Sequence, residues 1–469
     1  MRTLAVVAAL AALFTACTEE APKVEKQKEV DNDTVNVYSH PEWAKNANIY
    51  EVNIRQYTAE GTFAAFEKHL PRLKEMGVDI LSIMPIQPIG MLNRKGGKGS
   101  YYSIRDYETV NPDFGTQEDF TKLVENAHAL GLKVILNWVA NHTAFDHTWI
   151  TNRPDFYTKD DVGFSPIVAL DNAGNSTDWT DVADLDYAND DLNGAMTESM
   201  RYWVNASNID GFYCDKAALV PVDFWEYAFA KLRLTKPDLF FVAECEDPHY
   251  LDVDKFDMGY AWSLYHLMNK VAKGDTSPIV FKSYLKTLES EFRNDDLQLM
   301  FTTNHEENAR HGTALERLGN NSTNMFVLAT TFQNGMPLIY GGQEAGLDKR
   351  LRFFEKDTIS WKNTELIPFY TKMLALKHNN MALWNGLAGG KMKPIETGHP
   401  DEIYAFYREK DGNRVIVLLN FSARSIQFKP QLDGIYGSYK IVEGVNVDWS
   451  TNPNLTLEPY QNLIVTKQN

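Results

Sequence analysis

The chain has 469 residues, more than one ordinary domain holds, and it fits one large α/β barrel with a smaller companion domain. Its 44% hydrophobic and 23% charged residues exclude disorder over most of the length. The 46 Lys and Arg against 63 Asp and Glu give a net charge of −17, and no basic cluster offers the positive footprint that nucleic acid needs. A neutral partner such as a sugar suits that charge. Three cysteines cannot make a disulfide framework, and no CxxC or Cys/His cluster suggests zinc.

Residues 1–16 read MRTLAVVAALAALFTA, one Arg followed by an apolar run too short to span a bilayer as a helix. Cys17 follows at once. Small residues ahead of a single Cys resemble the lipobox of bacterial lipoproteins. That resemblance implies a signal peptide over 1–17, lipidation at Cys17, export and a membrane anchor. A plain secretory signal with a free Cys is the other reading. Residues 18–40 are rich in Glu, Lys, Asp and Asn, have little to bury, and are expected to be a flexible tether.

Between 41 and 385, apolar β-rich runs alternate with amphipathic stretches. The runs are 49–54, 80–86, 133–139, 211–215, 239–244, 258–262, 297–304 and 337–342. Such runs suit strands buried on both faces. The intervening FAAFEKHLPRLKEMG and TQEDFTKLVENAHALG read as helices, the second opening at Thr116 and closing at Gly131. Eight strands with helices between them predict a (β/α)8 TIM barrel. The long polar stretch 143–190 reads as a small inserted domain after strand 3, and 191–208 as a helix. Short alternating strands over 386–469 predict a C-terminal antiparallel β-domain, a sandwich.

The candidate chemistry sits at strand ends. In such a barrel the side chains at the C-terminal ends of the strands converge on one face. Asp215 ends one run, Glu244 ends another, and Glu306 follows a third. Tyr102, Trp138, Asn141, His142, Trp262 and His305 come from the same ends. Two carboxylates in an aromatic-walled cleft are what glycoside hydrolysis needs: one protonates the leaving oxygen, the other attacks the anomeric carbon or activates water. Acidic strand ends also occur in metal-dependent barrels. No Gly-rich phosphate loop follows a strand, so no organic cofactor is expected.

The strings VANHTAFDH, DGFYCDKAALVP, FVAECEDP, FTTNHEEN and PLIYGGQEAG, with GSYYSIRDYETVNPDFGT and DVADLDYAN, resemble the ordered motifs of the α-amylase family, glycoside hydrolase family thirteen. The resemblance implies a barrel with a small insertion after the third strand, a C-terminal β-domain, and retaining action on α-1,4-linked glucans. It places the nucleophile at Asp215 and the general acid/base at Glu244. It puts sugar contacts at Tyr102, His142 and His305, and a structural calcium ligand at Asn141. Tyr213 and Trp138 join the sugar contacts as candidates. The chemistry wants Asp215 ionised and Glu244 protonated.

Three positions depart from the family pattern. Tyr213 stands where Arg is usual, Asn137 where Asp is usual, and Glu306 where the transition-state-stabilising Asp is usual. An Arg beside a carboxylate keeps it ionised, which Tyr213 cannot do. Glu306 keeps the charge but displaces it by roughly 1 Å, enough to slow a preorganised site by about 10²-fold. Asn137 removes an acid that would otherwise lack its partner. Lys216 or Arg310 could restore the missing positive charge, although strand alternation argues against Lys216. Glu307 could replace Glu306 if the turn shifts. A hydrolase with an altered site, a non-catalytic glucan binder and a transglycosylase all remain open. Cys214 and Cys245 are expected to be buried thiols.

Overall fold

The structure is a computed structural model that describes residues 39–467, apart from 253–254, 433, 435–436, 443–445 and 450–453. The leader, Cys17 and the tether as far as residue 38 lie outside the described residues. Among the described residues no helix is long and apolar enough to cross a membrane.

Eight strands form the centre: β1 (Ile49–Val52), β2 (Ile80–Ile83), β3 (Lys133–Val139), β4 (Gly211–Asp215), β5 (Phe240–Ala243), β6 (Met258–Tyr260), β7 (Leu297–Phe301) and β8 (Gly335–Tyr340). All neighbours pair in parallel and β8 closes onto β1. Every strand residue is buried except the half-buried Lys133 at the mouth of β3. That is why these segments read as continuous apolar runs rather than alternating ones.

The helix Gln117–Ala129 starts at a capping box. The Thr116 hydroxyl accepts the Asp119 N–H at 3.2 Å, and Asp119 accepts the Thr116 N–H at 2.9 Å. Phe120, Leu123, Val124 and Ala127 then recur on its buried face. The stretch expected as one helix over 63–77 is instead two, Phe63–Glu67 and Leu70–Met76. Pro71 has no N–H for a continuing helix, but it suits the first turn of a new one.

After β3, short strands His142–Ala144 and Val182–Asp184 pair antiparallel and frame the insertion. The helix Asp190–Ser207 follows. The C-terminal region is a six-stranded antiparallel sheet backed by the two-stranded sheet of Ile426–Phe428 and Leu455–Leu457. Period-two alternation divides its side chains between two cores. Tyr404, Phe406, Val415, Val417, Leu419 and Ile464 join the barrel's core, whereas Ile403, Ala405, Ile416, Leu418 and Val465 form a second core with Trp449.

Polar groups tie the sheet and the chain's start to the barrel. Fully buried Arg408 donates to the carbonyls of Gly390 at 2.8 Å, Trp384 at 2.9 Å and Phe332 at 3.0 Å. Ser39 and His40, read from sequence as the end of the tether, are bound to the floor of the barrel. His40 Nδ1 lies 3.0 Å from Asp257, just ahead of β6, and Nε2 lies 2.8 Å from the Asp295 carbonyl, just ahead of β7. The Ser39 N–H donates to Asp295 Oδ2 at 2.8 Å. Burial disfavours the His40 cation, yet Asp257 outweighs it and raises its pKa.

Arg408→Met removes the donor from buried carbonyls that water cannot reach. It is expected to lower the stability of the folded chain by about 3 kcal/mol, read as a lower denaturant midpoint.

Candidate active site

The C-terminal rim of the barrel opens into a cavity lined by Tyr102, His142, Asp215, Lys216, His305 and Glu306, with Trp179, Arg310, Phe353 and Phe354 among its walls. Each comes from the end of a strand or the loop beyond it. Asp215 is the last residue of β4. Glu244 is the first residue beyond β5, its N–H donating to the Cys214 carbonyl at 3.0 Å as though the ladder went on. Both carboxyls are buried, 6% and 7% exposed, at the ends of directly paired strands. His305 and Glu306 open the short helix His305–Arg310 after β7.

One wall is a relay that starts in β1. Glu51 is the charged residue of an otherwise apolar strand, and it points into the barrel. Its Oε1 accepts from His305 Nδ1 at 2.6 Å, and its Oε2 accepts the His305 N–H at 3.0 Å. The other ring nitrogen, Nε2, lies 2.6 Å from the Tyr102 hydroxyl, and the two rings stack at 5.6 Å. Burial disfavours the His305 cation, but the Glu51 carboxylate wins and its pKa rises. His142 has no such partner, and burial pushes its pKa down to about 4. It is therefore a neutral ring at neutral pH, able to accept as well as donate.

The other wall carries a cation. The Lys216 ammonium lies 2.7 Å from Glu244 Oε1 and 3.5 Å from Glu306 Oε2. Strand alternation, the argument against this residue, does not apply, because β4 ends at Asp215. Lys216 sits beyond it in the left-handed region (φ 45°, ψ 45°), which turns its side chain into the cavity. Arg310 also reaches the site, pairing with Glu306 at 3.3 Å.

These charges set the protons. Burial raises the pKa of Asp215, and the nearby Glu244 raises it further. Burial would raise Glu244 too, but the Lys216 ammonium overrides it and leaves Glu244 below the usual carboxylate range. The two shifts run against the expected order, ionised Asp215 and protonated Glu244. The cause is positional: the cation stands against Glu244, and Tyr213 brings no charge to Asp215.

The description "Alpha amylase, catalytic domain" matches residues 27–380, three quarters of the chain. The chain belongs to the α-amylase family. It is 25% identical over 397 residues to the α-amylase MalA of Haloarcula japonica, covering 82% of this chain and 57% of that protein's length. It is 25% identical over 469 residues to an α-1,4-glucan:maltose-1-phosphate maltosyltransferase of Picrophilus torridus, covering 91% of this chain and 71% of that one. Among solved structures, an α-amylase from Lactobacillus plantarum superposes with a TM-score of 0.78 at 28% identity, covering 91% of this chain and all of its own. A noncanonic maltogenic α-amylase from Thermotoga neapolitana gives 0.79 at 28% identity over 90% and 98%.

Within this family member, some candidate residues stand elsewhere than expected. Trp138 does not reach the cavity. Asn137 and Val139 take the inward positions of β3, so Trp138 faces the helices and packs on Tyr107 at 5.0 Å and Phe212 at 5.5 Å. Tyr213 is buried beneath the site, edge-on to Tyr260 at 5.7 Å. It is the register partner of Asn137 across β3 and β4, so two of the three departures are direct neighbours. Asn137 donates to the Tyr102 hydroxyl at 3.4 Å. Glu307 points away from the cavity, held by Tyr265 and by His311 at 3.0 Å. Cys214 and Cys245 are buried free thiols.

Asn141, the expected calcium ligand, lies buried just beyond β3 beside His142. The amide nitrogen of Asn141 is 3.2 Å from His142 Nδ1. Asp184, the carboxylate on the strand paired with His142, has both oxygens occupied by donors, Thr158 at 2.7 Å and the Leu170 N–H at 3.0 Å. Among the described residues no three or more His, Cys, Asp or Glu stand ready to hold a metal.

Sequence reasoning passed over Glu51. Its signal was a carboxylate inside a buried strand, which must find a partner. Glu51→Gln is expected to lower the His305 pKa, read by histidine NMR titration. It is also expected to weaken maltooligosaccharide binding about tenfold, the scale of one charge-assisted hydrogen bond.

Proposed function

We propose that the chain is a retaining glycoside hydrolase of the α-amylase type, acting on α-1,4-linked glucans or maltooligosaccharides with low turnover at neutral pH. The observation that carries this reading is the buried pair Asp215 and Glu244 at the ends of neighbouring strands β4 and β5. Asp215, ionised, attacks the anomeric carbon while Glu244 protonates the departing glycosidic oxygen. Glu244 then takes a proton from the water that releases the sugar. Tyr102 offers a ring face to the sugar at the cleavage point, and His142 and His305 hydrogen-bond its hydroxyls. Glu306 supplies negative charge to the oxocarbenium-like transition state from a position tied to Arg310 and Lys216.

A second reading, a glucan-binding protein with little catalysis, draws on the burial and the nearby Glu244 that raise the Asp215 pKa and on the uncharged Tyr213 beneath it. Transglycosylation on the same substrates is a third, in keeping with the maltosyltransferase among the relatives. A structural calcium held through Asn141 belongs to the reading as a support of the fold, outside the chemistry. The leader and Cys17 complete it: the chain is exported and held at a membrane by a lipid, where it meets glucans outside the cytoplasm.

Reducing-end release from starch and maltoheptaose tests the reading. The natural chain is expected to release sugar slowly, and Asp215→Asn to abolish release. The triple variant Asn137→Asp/Tyr213→Arg/Glu306→Asp is expected to gain about 10²-fold. Turnover that survives Asp215→Asn rejects this site. Silence from the natural chain, activity in the triple variant and retardation on amylose by both would favour the binding protein. Separately, Cys17→Ser is expected to shift the chain from the membrane to the soluble fraction.

A further inference from the structure

The cavity is lined by Asp215, Lys216 and Glu306 but not by Glu244, the acid on which the proposed reaction depends. Both oxygens of Glu244 face Lys216: Oε1 accepts from the ammonium at 2.7 Å and Oε2 from the Lys216 backbone N–H at 3.3 Å. The same ammonium is 3.5 Å from Glu306 on the opposite side. The left-handed backbone at Lys216 makes this double grip possible. A residue with a side chain adopts that conformation only against a steric penalty.

We infer that Lys216 is a positioning residue that locks the acid/base: its ammonium bridges Glu244 and Glu306 in the resting site, and a bound sugar must shift it onto Glu306 before Glu244 can donate. This deepens the hydrolase reading and rests on Glu244 being its acid/base. The ammonium is faced by Asp215 at the end of β4, by Glu244 beyond β5, and by Glu306 with Arg310 behind it on the helix after β7. His142 is the neighbouring ring. Burial disfavours the Lys216 cation, but the three carboxylates outweigh it and keep it charged.

The steps balance. As the ammonium leaves Glu244 for Glu306, the one proton of the pair moves from Asp215 to Glu244. The Asp215 carboxylate then bonds to the anomeric carbon, the carbon–oxygen bond breaks, and Glu244 gives its proton to the departing oxygen. Water completes the cycle and returns one proton to the pair. Nothing beyond the sugar and water is consumed. The lock also sorts substrates: a leaving group that needs no proton requires only an ionised Asp215, whereas a glycosidic oxygen needs Glu244 unlocked as well.

Infrared difference spectra with 13C-labelled aspartate or glutamate test this without turnover. At neutral pH the neutral carboxyl band that Asp215→Asn removes is expected to carry the aspartate label in the natural chain. In Lys216→Met the corresponding neutral band is expected to carry the glutamate label and to vanish with Glu244→Gln. Lys216→Arg keeps the cation and is expected to keep the natural pattern, which guards against a merely structural effect. Turnover of maltoheptaose relative to α-maltosyl fluoride is expected to rise about tenfold in Lys216→Met. A neutral band on glutamate in the natural chain, or one still on Asp215 in Lys216→Met, overturns the lock. Absence of sugar release from every variant, including the triple one, overturns the hydrolase reading instead, and the infrared result still decides the role of Lys216.

Discussion

A closed barrel of parallel strands gives every strand the same direction, so eight C-terminal ends meet on one rim while successive side chains alternate between bore and helices. The rest of this molecule follows from that constraint. Asp215 and Glu244 are neighbours only because β4 and β5 are, and Glu51 can hold His305 only because the ring of strands brings β1 and β7 to opposite sides of β8. The same alternation sends Trp138 outward into the helix layer. Where a strand stops, the rule stops with it, and Lys216 turns back into the cavity.

Buried cations are handled in two ways. Arg408 has its positive charge spread over backbone carbonyls, which can accept but cannot titrate. That arrangement serves a joint between sheet and barrel, where nothing needs to move. Lys216 lies among three carboxylates that compete for it and for a shared proton. In such a setting a small displacement of the ammonium redistributes charge across the whole site. The family pattern leads one to expect a fixed guanidinium beneath the nucleophile. A flexible ammonium beside the acid/base is a different electrostatic design on the same frame.

The architecture was legible in the sequence because buried strands leave long apolar signatures and because the capping box at Thr116 and the turn at Gly131 bracket a helix. Pro71 was legible too, but periodicity across 63–77 masked its meaning, since two short helices with a common buried face show one continuous pattern. The meeting of Asp215, Glu244, His142, His305 and Tyr102 was readable from strand ends. What stayed hidden depended on backbone conformation and on long-range partners. No local pattern announces that Lys216 is left-handed. Glu51 and His305 are 254 positions apart. The pull on the two carboxyls was hidden for the same reason, since it is set by where a flexible cation comes to rest rather than by residue type.

The clasp of Ser39 and His40 lies far from the chemistry. It binds the beginning of the described chain to Asp257 and Asp295, both ahead of their strands, on the floor opposite the cavity. The clasp and the cavity thus stand at opposite ends of the same strands, so a change at His40 can reach Asp215 or Glu306 only through the length of the barrel.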